Sequence, residues 1–174
     1  MNSSSIIISI LALIFAVYSF WWMNWRKGKL KVSYLKHYGV DNSANKLLIE
    51  LPLVFFNIGA LPVVVESLRL ILLDKNSKQI FLHFNAIRTE LMKDEGRYFA
   101  TPFSINRGDS KKLVCEFQKN PSEFSFEIGD YKLLLEGKLY SKNKWIVLRK
   151  FIITIPQNKL ESLRTKYEIL EELK

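Results

Sequence analysis

The chain has one cysteine, Cys115, and two histidines, His37 and His83. A lone cysteine excludes an internal disulfide and suits a reducing compartment. Two histidines far apart in sequence give no metal-ligand spacing, and no metal site is expected. The chain also lacks a glycine-rich phosphate loop, a nucleophile elbow and paired histidines at helical spacing. These absences argue against an enzyme, and no catalytic residue or cofactor is predicted. Leu113, Cys115 and Phe117 alternate, so Cys115 reads as a small buried side chain on a strand.

Charge is also missing where it would matter most. Residues 1–5 carry no charged side chain, and Ile6 to Met23 form one apolar run without a charge. Eighteen residues make roughly 27 Å of helix, close to the hydrocarbon thickness of a bilayer. A cleaved export signal would need a positive start and small residues at its end, whereas Trp21, Trp22 and Trp25 stand there. The expectation is a retained transmembrane anchor over residues 1–25. Tyr18, Phe20 and the tryptophans suit a membrane-interface belt.

Arg26, Lys27, Lys29, Lys31 and Lys36 follow the run at once. This one-sided cluster predicts an N-terminus outside and a C-terminal part in the cytoplasm, the alternative being a domain on the outer face. Trp21, Trp22, Trp25, Arg26, Lys27, Lys29 and Lys31 are the expected contacts with a bilayer carrying anionic headgroups. The formal net charge is +9. The cluster supplies so much of it that the rest is too dilute for a nucleic-acid partner.

Beyond the anchor, residues 26–36 read as a basic juxtamembrane segment with a first strand at Lys29 to Leu35, and 37–156 as one β-domain. Gly39 to Asn45 is a polar break. Lys46 to Asn57 alternates with Leu47, Ile49, Leu51, Leu53 and Phe55 on one face, with Pro52 assigned to an edge or bulge. Strands are expected at Val63 to Leu73, from Ile80 to Ala86, and over Tyr98 to Ile105, Lys111 to Gln118 and Glu123 to Ile128. Arg88 to Arg97 reads as a loop or a single helical turn. Tyr131 to Leu139 and Trp145 to Ile155 make the clearest hairpin. Short strands with turns roughly every ten residues point to an antiparallel sandwich or barrel, of which the sandwich is preferred.

The string Phe55-Phe56-Asn57-Ile58-Gly59-Ala60-Leu61-Pro62-Val63-Val64-Val65 resembles the strand, Asn-x-Gly turn, strand pattern of immunoglobulin-like domains in bacterial surface and membrane-tethered proteins. Gly129-Asp130-Tyr131-Lys132-Leu133 resembles the approach to a late strand in that family. The resemblance implies a sandwich in which the Tyr131 hydroxyl anchors a corner. The antibody-type cysteine pair is absent, and Trp145 falls on the last strand. Asn57 and Gly59 are expected to serve the reversal by tolerating positive φ.

Past Pro156, Asn158 and Glu161 resemble a capping box opening an amphipathic helix to about Leu173, so 157–174 is assigned as a C-terminal helix. Leu160, Leu163, Tyr167 and Leu170 would form one stripe, a possible partner-helix face or a surface docked on the sheet. Arg107-Gly108-Asp109 matches an adhesive tripeptide but is also ordinary turn chemistry. The expected architecture is mainly β: a transmembrane helix, an immunoglobulin-like β-sandwich and a C-terminal amphipathic helix. Two roles from different classes stand open. One is a membrane-anchored protein-interaction or scaffold module with an unidentified protein partner. The other is a membrane-proximal sensor for a lipid or small hydrophobic ligand, or an accessory subunit of a larger membrane complex. Ser9, Ala12, Ala16 and Ser19 would permit close helix approach in such a complex.

Overall fold

The computed structural model describes residues 3–24, 27–33, 36–43, 46–74, 78–91, 95–140, 142 and 144–171. Trp25 and Arg26 lie outside the described residues. The first helix, α1, runs Ser3–Asn24, is long and apolar enough to cross a membrane, and has none of its residues buried against the rest of the chain.

The remainder is mainly antiparallel β. Its strands are β1 (Leu30–Val32), β2 (His37–Asp41), β3 (Leu47–Asn57), β4 (Val63–Leu73), β5 (Gln79–Arg88), β6 (Tyr98–Phe99), β7 (Phe103–Ile105), β8 (Ser110–Lys119), β9 (Gly129–Leu139), β10 (Trp145–Ile155) and β11 (Glu168–Glu171). They form one hydrogen-bonded sheet in the order β10-β9-β4-β5-β8-β3-β2-β11, with β1 on β3, β6 on β5 and β7 on β4. β5 turns the corner. Its first half, Gln79 to His83, pairs with β4, its second half, His83 to Arg88, pairs with β8, and the β8 ladder is interrupted between Phe84 and Ala86. A bulge of this kind bends a strand. The sheet therefore curls like a half-barrel and brings β10 against β1.

Both halves fill one core. Leu68, Leu70 and Leu72 of β4, Leu133 and Leu135 of β9, and Phe151 and Ile153 of β10 face Leu47, Ile49, Leu51, Leu53 and Phe55 of β3 and Cys115 and Phe117 of β8. Alternation places these residues on one face because successive side chains in a strand point oppositely. Where the two ends of the sheet meet, a tyrosine replaces the backbone ladder. The buried Tyr38 hydroxyl donates to the Thr154 carbonyl at 2.9 Å and accepts from the Thr154 N–H at 3.1 Å.

Several expectations are corrected. β2 runs past the expected first strand into Gly39 to Asn45, read as a polar break, and Tyr38 and Val40 are wholly buried. Glu123 to Ile128 is not a strand. Phe124, Phe126 and Tyr131 pack there edge to face, and Glu127 donates its N–H to the Tyr131 hydroxyl at 2.8 Å while its carbonyl accepts from that hydroxyl at 3.2 Å. These contacts hold the segment as a loop, and Tyr131 anchors the corner as the resemblance implied. Pro52 lies inside β3, paired with Val114. On the opposite side of β3 the ladder stops at Glu50 and resumes at Phe55, so the missing N–H of Pro52 falls in a gap.

The C-terminal helix is also corrected. Gln157–Lys159 form a 3-10 turn and Leu160–Leu163 a single α-turn, α2, with no side-chain cap. The chain then pairs as β11 with β2, from Glu168 opposite Val40 to Glu171 opposite His37. Leu163 and Leu170 are buried, and Leu160 packs against the core, so the stripe is spent on this domain. Pairing with β2 and the burial of Leu170 outweigh a helix that only about two heptads would sustain. Glu168 fastens the turn to the strand, accepting from Lys159 at 2.7 Å and lying 3.3 Å from Lys166.

Candidate functional site

Two places concentrate chemistry, the junction between α1 and the β-domain and a buried ionic cluster on the outer face of β3 and β8. At the junction, Arg107 donates from Nη1 to the carbonyl of Met23 at 2.7 Å, satisfying an acceptor that the end of a helix leaves unpaired. The tripeptide loop thus lies beside the end of α1. Gly108 takes φ +72° there, a left-handed conformation that glycine adopts without a steric penalty.

Asn57 organises the same end. Its buried side chain accepts from the N–H groups of Gly59 at 2.9 Å and Lys29 at 3.2 Å, and donates to the carbonyls of Leu61 at 2.8 Å and Ile105 at 3.1 Å. One amide therefore ties the chain leaving α1 to the β3–β4 turn and to β7. Neither Asn57 nor Gly59 works through positive φ, contrary to expectation. Gly59 is required because the chain at Lys27 to Lys29 passes directly against it, leaving no room for a Cβ.

Of the expected bilayer contacts, Trp21 and Trp22 are exposed on α1, and Lys27, Lys29 and Lys31 are exposed just beyond it. Trp21 and Trp22 pack beside Tyr18, with ring centroids 6.2 Å away in each case. Of the expected partner-helix face, Leu160, Leu163 and Leu170 point into the domain as described above. Tyr167 belongs to the ionic cluster instead.

Glu50 and Glu116 sit directly opposite each other on β3 and β8, on the face turned away from the main core, and both are buried. Arg88 of β5 places its Nε 2.8 Å from Oε1 of Glu50 and 2.8 Å from Oε2 of Glu116. Arg97 forks onto Glu116 at 2.8 and 3.1 Å, and Asn85 donates to it at 2.8 Å. Tyr167 donates its hydroxyl to Oε2 of Glu50 at 2.7 Å. Gly39 makes this reach possible, since the Tyr167 ring lies where a Cβ on Gly39 would stand.

Burial pushes the Glu116 carboxyl up, but the hydrogen bonds from Arg97, Asn85 and Arg88 outweigh it and hold the group at about 2, against an ordinary 4.5. Glu116 is therefore ionised at neutral pH with both oxygens engaged. Such an arrangement clamps strands together and has no proton to give. Cys115, next to it but facing inward, has its thiol pushed up by burial and is held unreactive. Sequence reasoning passed over this cluster. Its only local signal is a single glutamate at an outward position between apolar neighbours, in Leu-Ile-Glu-Leu and again in Val-Cys-Glu-Phe.

A shallow groove of about 380 Å³ lies on the β4–β5 side between Phe81 and Trp145. The Arg69 guanidinium is 4.4 Å from the Trp145 ring centroid and 5.4 Å from that of Phe81, and its Nε is 2.6 Å from Glu136. Exposed His83 is on its rim. No group of three or more His, Cys, Asp or Glu side chains suited to a metal occurs among the described residues.

No family model matches the chain, and no curated protein matches it. Among solved structures it is similar to a protein assigned as ApaA from Bordetella pertussis, at 13% identity and a TM-score of 0.41, over 76% of this chain and 98% of that one. It is also similar to beta-glucosidase 3B from Thermotoga neapolitana, solved with alpha-D-glucose, at 14% identity and a TM-score of 0.37. That likeness covers 83% of this chain but only 17% of the glucosidase. At such scores neither carries an argument about function.

Proposed function

We propose that the chain is a single-pass membrane protein, its N-terminus outside, whose cytoplasmic β-domain of immunoglobulin-like architecture serves as a protein-interaction or scaffold module. The observation that carries this reading is that α1 buries nothing, while the β-domain closes its own core without it. Twenty-two residues of apolar helix left in water would be a large exposed patch, and lipid is the solvent that removes it. The exposed Lys27, Lys29, Lys31 and Lys36 favour the cytoplasmic side.

The contact surface on this reading is β6. Tyr98 and Phe99 are 65% and 83% exposed, an aromatic pair on a two-residue strand at the flank of β5. Exposed aromatics of this kind are frequent anchors of protein interfaces. A photo-crosslinker at Phe99 in native membranes is expected to yield a discrete adduct that one at Glu123 does not, and Tyr98→Ala, with the crosslinker kept at Phe99, should remove it. Equal labelling from both positions would overturn the module, and digestion of the β-domain by protease added outside would overturn the orientation.

A further inference from the structure

The end of the β-domain beside α1 carries more than the juxtamembrane lysines. β1 enters opposite Asn57, β7 opposite Val63 to Val65, and β9 leaves opposite Val65, so the connections at 58–62 and 106–109 emerge at this end, together with Tyr140 and Lys142. They expose apolar side chains that the core could not take, with Ile58 at 41%, Leu61 at 44% and Tyr140 at 77%. Between them opens a groove of about 480 Å³, lined by Leu61, Pro62, Val64 and Tyr140 and flanked by Lys27 and Lys142. Arg107, bonded to the last turn of α1, adds a third cation, and Asp109 is the acid of the same loop.

We propose that this rim is a second membrane contact, in which Leu61 and Tyr140 enter the headgroup layer while Lys142 and Lys27 take lipid phosphates, so that the β-domain stands upright on an anionic bilayer. The occupant follows from continuity and charge. The rim is bonded to the end of the helix that crosses the lipid, and aromatic and apolar tips interleaved with cations are the chemistry that binds an anionic interface. The short, glycine-dependent exit at Gly28 and Gly59 keeps the rim at that surface, where a long linker would let the domain drift away. The inference rests on the reading of α1 as a membrane span.

The test uses the full chain in nanodiscs of phosphatidylcholine alone or mixed with phosphatidylserine, with amide exchange read at 58–62 and 140–144. Exchange is expected on the order of tenfold slower in the anionic discs. Lys142→Glu with Lys27→Glu should abolish that difference, with exchange in β9 and β10 unchanged as proof of folding. Leu61→Ser should reduce protection in both lipids. Equal exchange in the two discs with the protein fully integrated would overturn the rim contact, as would protection already present in detergent, which would mean a second protein copy covers it. Failure of the chain to enter the discs would instead overturn the span.

Discussion

On one side of β3, Leu51 meets Leu53, Cys115 and the leucines of β4 and β9 in an apolar core; on the other, Glu50 is just as deeply buried against Arg88, Glu116 and Tyr167. The two layers share the same pair of strands and differ in what holds them. The inner layer is non-directional and tolerates changes that conserve volume. The outer layer depends on every member, because desolvated charges are favourable only while paired. The inner layer can thus be reached by almost any alternating apolar strand, whereas the outer one specifies which segments must cover it: Asn85 and Arg88 from β5, Arg97 from the loop before β6, and the C-terminal Tyr167.

The sharpest way to break the comparison is Arg88→Ala. It leaves two adjacent carboxylates buried without the guanidinium they share, and is expected to cost about 3–5 kcal/mol in denaturant unfolding of the full chain in detergent, followed by far-UV circular dichroism. Replacing Glu50 and Glu116 by leucine in the same background should recover most of the loss. If the single variant unfolds like the parent, the cluster is not holding the cover in place.

Acid distinguishes the layers next. Glu116 is held near 2 in the folded protein against 4.5 ordinarily, so its stabilisation is complete above the ordinary value and is lost as pH falls through 4.5 toward 2. Stability should decline across that window. Leu51→Ala, which cuts a cavity in the inner layer at about 2–5 kcal/mol, should lower the whole curve without changing its acid slope. A Glu116→Gln variant that keeps the same slope would show that other carboxylates govern it.

The smallest effect is Tyr167→Phe. Losing one hydrogen bond to a carboxylate should cost about 1.5–3 kcal/mol and speed amide exchange in β11. Rapid exchange in β11 with exchange in β3 unchanged would show that the C-terminal segment is a cover laid over an already complete sheet.

How much of this was legible depends on the range of the interaction. The helix of residues 3–24, the inward leucines of β3, β4 and β9 and the β9–β10 hairpin follow from periodicity and near neighbours. The Tyr131 corner could be anticipated because its partner is only four residues away. β2, β11 and the ionic cluster could not. The stripe Leu160, Leu163, Tyr167 and Leu170 fits a helix by its spacing, but β2 lies more than a hundred residues away in sequence and offers an open edge that a local reading does not see. Asn57 looked like a turn former because its type is common in turns, and two of its bonds, to Gly59 and Leu61, are local; the other two reach Lys29 and Ile105, which a local reading does not see.

The sequence by itself determined where the apolar surface lies: a rod of residues suited to lipid, and strands with one oily face each. Only the tertiary structure decided what those surfaces and the charges between them meet. Transfer of apolar groups from water depends on composition and local period, which a chain carries in its own order. Strand pairing and buried ion pairs depend on a partner's direction and distance, and these exist only once the sheet has curled.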